Sequence, residues 1–235
     1  MDTYGCNIVA QVYGRKTWIM FPPKYTSILK PTRVPYEESS IYSEINFQCG
    51  TSELPNMEDI YTTELEPGDV LIVPRHWWHY VENTTIAISI NMWVPLPHDD
   101  NSRLEEALVR YFITSIVKHI PSDDYCNILN PNEIDLPSEV NDIQQINWCI
   151  KKCQESNHEN VNLPNNTEKL PTEISVVSKI SFDTFKENQL RRCNCDKQER
   201  KKKDCVSMHD VINAYCHPEV ITKIKQVLLE QMEPN

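Results

Sequence analysis

His76-Trp77-Trp78-His79 sets two imidazoles beside two indoles, directly after the apolar run Val70-Leu71-Ile72-Val73. A strand-borne imidazole can ligate non-haem iron, which favours two His and one carboxylate on one face and keeps positions open for other ligands. It serves equally well as a buried group tied by one hydrogen bond between indoles, and the spacing alone leaves both readings open. His79 is the better placed of the two. His76 lies three positions earlier, on the other side of a regular strand and next to the break at Pro74, so it suits a structural or supporting role. Asp2 offers a carboxylate just ahead of the first apolar segment, although a residue so placed is ordinarily solvated. Lys16 opens another apolar segment. Pointing inward, it is costly unless an anion meets it, and it would then bind a carboxylate as a point charge. Pointing outward, it is a solvated hairpin cation. Asn7 and Asn91 stand within or beside apolar strands, where an amide must either satisfy backbone groups or hold a ligand.

The elements that position these residues read as antiparallel strands. NIVAQVY (7–13) and KTWIMF (16–21) flank Gly14-Arg15 as a hairpin, and Pro22-Pro23 stops it. Segments 61–65, 69–73, 78–82 and 85–93 continue the pattern with short turns, including Pro67-Gly68. Residues 24–60 form a long connection with room for a short helix, and a loop of that length is often functional. From Pro95 onward the character changes. Residues 102–120 carry Leu104, Leu108, Phe112 and Ile116 on one helical face behind a Ser102/Glu105 capping pattern. Further helices are expected over 142–153, over 174–191, after the basic run Arg200–Lys203, and over 219–232. The expected organisation is a partial β domain over 1–96, a helical extension over 97–159, a flexible linker over 160–173 and a helical C-terminal region over 174–235.

Composition narrows the function classes. The 235 residues carry a formal net charge of −11, so no broad basic field exists to collect phosphates, and nucleic acid is not expected as a general partner. No run of 18 apolar residues spans a bilayer. Nine irregularly spaced Cys and the lack of a secretory leader pattern predict free thiols and a cytoplasmic protein, with the nucleus also open to it. Cys193, Cys195, Cys205, His209, Cys216 and His217 cluster, but their spacing matches no common zinc pattern, and thiols on helices are the expected reading.

Taken together, D-T-Y-G-C-N (2–7), Q-V-Y-G-R-K-T-W-I-M-F-P-P (11–23), P-G-D-V-L-I-V-P-R-H-W-W-H (67–79) and S-I-N-M-W (89–93) resemble the JmjC branch of the cupin superfamily. The resemblance covers residues 2 to about 112. With P-T-R-V-P-Y-E-E-S-S (31–40), it narrows to a branch known for association with a small heat-shock protein. It implies a mainly β fold, an incomplete double-stranded β-helix of the jelly-roll type followed by an α-helical region. It implies Fe(II) and 2-oxoglutarate as cofactors, and hydroxylation or demethylation of a protein as the reaction. Asp2 and His79 match the carboxylate and distal His of the iron triad. Lys16 matches the lysine that pairs with the far carboxylate of 2-oxoglutarate, and Asn7 and Asn91 match pocket asparagines.

The triad's first His would stand two residues before Asp2, ahead of Met1. The expectations are therefore that the chain is an incomplete product of a longer gene and that it is inactive as it stands. Tyr36, Glu37 and Glu38 form an expected acidic substrate rim suited to a basic or polar peptide. The rival reading is a non-catalytic scaffold whose partner is a small heat-shock protein or similar polypeptide.

Overall fold

A computed structural model describes residues 1–47, 55–97, 99–133, 138–158, 174–192 and 205–232. The expected linker at 160–173, the basic run Arg200–Lys203, and Cys193 and Cys195 lie outside the described residues. In chain order the strands are β1 (Cys6–Tyr13), β2 (Lys16–Phe21), β3 (Pro31–Thr32), β4 (Tyr42–Ser43), β5 (Ile60–Leu65), β6 (Val70–Val73), β7 (Trp78–Asn83), β8 (Ile88–Val94) and β9 (Lys179–Ile180). The helices are α1 (Asp99–Val117), α2 (Glu139–His158), α3 (Phe182–Arg192), α4 (Met208–Tyr215) and α5 (Pro218–Met232). The expected helix over 174–191 begins only at Phe182. Ahead of it, the β-branched stretch before Ser181 includes β9, which pairs with β5 instead. None of the described helices is long and apolar enough to cross a membrane.

The chain forms two compact units. One comprises residues 1–30, 43–95 and 160–199, and the other 31–42, 96–159 and 200–235. The first unit holds two antiparallel sheets, ordered β6-β1-β8 and β7-β2-β5-β9. Strand alternation sorts their side chains. Val9, Leu71 and Val73 from one sheet pack with Trp18, Met20 and Leu65 from the other, and Tyr61, Trp77 and Val81 flank them. The β1–β2 turn depends on Gly14, at φ +66°, where a Cβ would come within 1.9 Å of the Ile86 carbonyl oxygen. The outer face of the β7-β2-β5-β9 sheet is covered by aromatic rings. Phe21 meets Phe47 at 5.5 Å and Phe185 of α3 at 5.9 Å. Asp59 pairs with both Lys24 and Lys179 and so ties β9 to the unit. Hydrogen bonds from Lys179 and then Lys24 draw its carboxyl down to about 2. The two sheets remain open at their edges, as an incomplete cupin-like β fold followed by helices.

The second unit is helical. Val34 and Tyr36 pack with Val109, Ile113 and Val117 of α1, with Ile128 and Leu129, and with Ile212, Cys216 and Ile221. Leu104, Ala107 and Leu108 face Ile146, Cys149, Ile150 and Cys153 of α2. α4 starts with a reciprocal cap, in which Ser207 accepts from the Asp210 backbone amide and Asp210 accepts from the Ser207 amide. Arg33 and Glu106 are both buried and joined by two hydrogen bonds, of 2.9 and 2.6 Å. Glu106 also accepts from the Ser39 amide at 3.0 Å. Burial opposes the Arg33 charge, but the Glu106 carboxylate more than offsets it and holds the guanidinium above its ordinary value. Removing one member of such a pair leaves the other charge buried alone. Glu106→Ala is therefore expected to destabilise the protein by about 3–5 kcal/mol in denaturant unfolding. A loss below about 1 kcal/mol would show that the pair is not a structural anchor.

Candidate metal and co-substrate site

β7 runs antiparallel to β2 with His79 beside Met20 and Val81 beside Trp18. His79 and Val81 therefore share the inner face with Trp18, and the Trp18 and His79 rings lie 5.7 Å apart. The Trp77 carbonyl can only accept, so at 3.2 Å it takes the Nδ1–H of His79, which leaves the Nε2 lone pair available. Burial pushes the His79 pKa below the usual imidazole value of 6.5. The Asp2 carboxylate and the bond to Trp77 act in the opposite direction. The bond to Trp77 thus fixes the tautomer while burial favours the neutral state, the form of imidazole that binds a metal.

Asp2 is placed by a chain of amides. Asn91 of β8 donates to the Asn7 side-chain oxygen at 3.3 Å, and Asn7 donates onward to the Asp2 carboxylate at 3.2 Å. Asn7 is buried, and both ends of its amide are used. The Trp93 indole donates to the same Asp2 oxygen at 3.3 Å. The backbone is pinned one residue further on, where His76 Nε2–H donates to the Thr3 carbonyl at 2.7 Å. His76 is thus a support for the Asp2 segment, reached from a left-handed backbone conformation at φ +65°. The sequence reading did not single out Trp93 as a partner of Asp2. Alternation along S-I-N-M-W carries the signal, since it puts Ser89, Asn91 and Trp93 on one face.

Lys16 lies across from Leu65 and Asn83. It is two positions from Trp18 and four from Met20, so it shares their inner face. The side chain is half-buried, and among the described residues its ammonium has no hydrogen-bond or ion-pair partner. Asn91 is exposed at the other sheet.

The three residues read as a substrate rim fall in the helical unit. Tyr36 is 0% exposed and part of that unit's core, so its ring forms packing and no surface. The Glu37 carboxylate accepts from Tyr42 and from Asn132 and Asn130, the last two at 2.7 and 3.3 Å. The Glu38 backbone amide donates to Glu133 at 2.7 Å. Of the C-terminal Cys/His cluster, His209 bonds Asn213 and neighbours Thr32, and Cys216 is buried in the core. Cys6, Cys149, Cys153, Cys205 and Cys216 are free thiols.

Asp2 and His79 are donors of the right chemistry for iron, but they number two. No group of three or more His, Cys, Asp or Glu side chains able to hold a metal ion occurs among the described residues. The described donors do not complete a facial triad.

This two-sheet fold, with a carboxylate and an imidazole on its inner face, defines a cupin-like domain. Residues 2–99 match the family model described as a cupin-like domain, so the chain contains a cupin/JmjC-like domain. It is closely related to the vertebrate protein called HSPB1-associated protein 1. The Danio rerio homolog is 38% identical over 183 residues, 76% of this chain and 41% of that protein. The Rattus norvegicus protein is 44% identical over 146 residues, 60% of this chain and 30% of that protein. A lysine-specific demethylase of Arabidopsis thaliana is 31% identical over 100 residues, 37% of this chain and 20% of that protein. The chain thus spans well under half the length of the relatives it matches.

The electrostatics of His79 carry a direct test. In an NMR titration its ring should titrate below 6.5, and Asp2→Asn should lower the midpoint further, since the Asp2 charge raises it. The stability that neutral His79 contributes is whole above pH 6.5 and is lost as the pH falls through the folded-state value. A midpoint above 6.5, or one raised by Asp2→Asn, would contradict this geometry.

Proposed function

We propose that this chain is a protein-interaction module built on an open cupin-like scaffold, with a small heat-shock protein or similar polypeptide as its partner. The observation that carries this reading is this chain's identity of 38–44% to proteins named for association with HSPB1. The cytoplasm is the compartment in which such a module would work.

A second reading is favoured by Lys16. An unpaired ammonium on an inner face is costly without an anion, and Asn7 and Asn91 line the adjoining sheet. Under this reading the pocket takes a dicarboxylate such as 2-oxoglutarate. Asp2 and His79 would contribute to holding Fe(II), whose chemistry in related proteins is the oxidation of a C–H bond. The chain's own part is then to neutralise the far carboxylate at Lys16 Nζ, keep His79 neutral and orient Asp2 through Asn7 and Trp93.

Calorimetry with purified HSPB1 separates the two. The scaffold reading predicts a complex whose affinity changes less than about twofold on adding EDTA or on substituting His79→Ala, below the roughly 0.5 kcal/mol expected of changes outside an interface. No complex, or one that forms only with Fe(II) and 2-oxoglutarate, would overturn it. The second reading predicts 2-oxoglutarate binding that weakens about tenfold or more in Lys16→Ala, the loss of a charge-assisted bond of roughly 1.5–3 kcal/mol.

A further inference from the structure

β5 is paired along most of its length on one side and along only part of it on the other. Residues 61–65 lie opposite residues 16–20 of β2. On the far side, β9 meets only Ile60 and Tyr61, and one further bond runs from the Thr62 amide to the Ser178 carbonyl at 3.0 Å. Backbone groups of an antiparallel strand turn alternately to its two sides. The Thr62 amide turns to β9, so the amide and carbonyl of Glu64 turn the same way, past the end of the pairing. Continued in register, β9 would set Val176 against Glu64, yet Val176 is 90% exposed.

Residues 174–192 wrap this edge from one face of the sheet to the other. Val177 packs on the inner cluster, as Tyr61 and Trp77 do. Lys179 reaches Asp59, and Ile180 lies across from the buried Ile60. On the outer face Phe185, 1% exposed, fills a site made by Phe21 and Phe47. A strand edge with separate places for an aliphatic side chain, a cation and an aromatic ring is what recognition of an extended peptide requires. The segment is also held lightly. Its ladder is two residues long. The Lys179 side chain is 49% exposed, so its pair with Asp59 contributes little, and Asp59 keeps Lys24 when Lys179 leaves. Gln189 of α3 is buried with its amide nitrogen unpartnered among the described residues, a cost that undocking removes.

We propose that the β5 edge and the aromatic site beside it form a groove for an extended polypeptide, and that residues 174–192 are its tethered occupant. A partner segment of the same chemistry takes their place: an aliphatic residue, a basic residue two positions on, an aliphatic residue next to it, and an aromatic ring further along. The inference rests on the reading of this chain as a protein-interaction module and adds where the partner segment lies. Exchange begins at Glu64, where an incoming strand finds backbone beyond the end of β9. It then advances along β5 bond for bond, so the edge is never wholly bare. Asp59, in a chain of net charge −11, favours a basic segment.

The probe is a fluorescein-labelled peptide with this chain's own sequence 174–192, titrated with the full chain and followed by anisotropy. The unaltered chain should bind it weakly, because the tethered copy competes. Phe185→Ala in the chain loosens that copy and should strengthen peptide binding about tenfold or more, since apparent affinity rises with the fraction of open groove. Lys179→Glu sets a second carboxylate beside Asp59 at a half-exposed position, and should act in the same direction without touching the sheet core. Circular dichroism checks that each variant folds. A peptide carrying F185A, or one of scrambled order, should bind the Phe185→Ala chain about tenfold less tightly or worse, as expected of a lost aromatic anchor. Hydrogen exchange locates the event: the Thr62 amide loses protection in the Phe185→Ala chain and regains it with peptide, while residues 78–83 stay unchanged. Equal peptide affinity for the unaltered chain and both variants, equal binding of the scrambled peptide, or a Thr62 amide indifferent to peptide would each overturn the proposal. The assay contains no HSPB1, so its failure and the failure of the module reading are told apart.

Discussion

The first unit depends on one contact, the packing of two open sheets through Val9, Leu71 and Val73 on one side and Trp18, Met20 and Leu65 on the other. Neither sheet closes on itself, so each must bury one face against its neighbour. That contact fixes which residues of each strand point inward. The inward set then includes the polar members: Asn7 and Asn91 from one sheet, Lys16 and His79 from the other. The chemistry available on the inner face is therefore a by-product of a register set by apolar packing. A one-residue slip would turn all of it outward.

Within that frame the polar residues differ in how strongly they are held. Asp2 is the best supported, bonded by Asn7 and Trp93 and pinned through Thr3 by His76. His79 has a fixed tautomer and an open nitrogen. Lys16 has no described partner. The scaffold proposal leads because the relatives are named for association with a protein, and the co-substrate pocket, favoured by Lys16, stands second.

Much of the β unit was legible because its signals are local. The alternation in NIVAQVY, KTWIMF and ISINMW sets strand and face together, and Gly14 marks the hairpin. Asp2 could be linked to His79 only through a family resemblance, since nothing in residues 2–7 by itself distinguishes a ligand from a solvated end. The role of His76 was legible in kind but not in partner, because a bond to a carbonyl 73 residues away leaves no mark in the local sequence. The rim reading of Tyr36, Glu37 and Glu38 rested on position in a long loop. Segment 31–42 instead joins the helical unit, where Arg33 and Glu106 meet across 73 positions and Tyr36 is core. The β-branched residues ahead of Ser181 read as helix from their surroundings, but a short pairing with β5 took the Lys179–Ile180 step out of it.

The central proposal is that this chain works by binding a protein and not by turning over a co-substrate. The most direct measurement is succinate release by the purified chain supplied with Fe(II), 2-oxoglutarate and oxygen, with and without HSPB1. The account predicts release no greater than that of a His79→Ala control under both conditions. Sustained release that disappears in His79→Ala and in Lys16→Ala would contradict it, and would make the inner face of the two sheets a working active site.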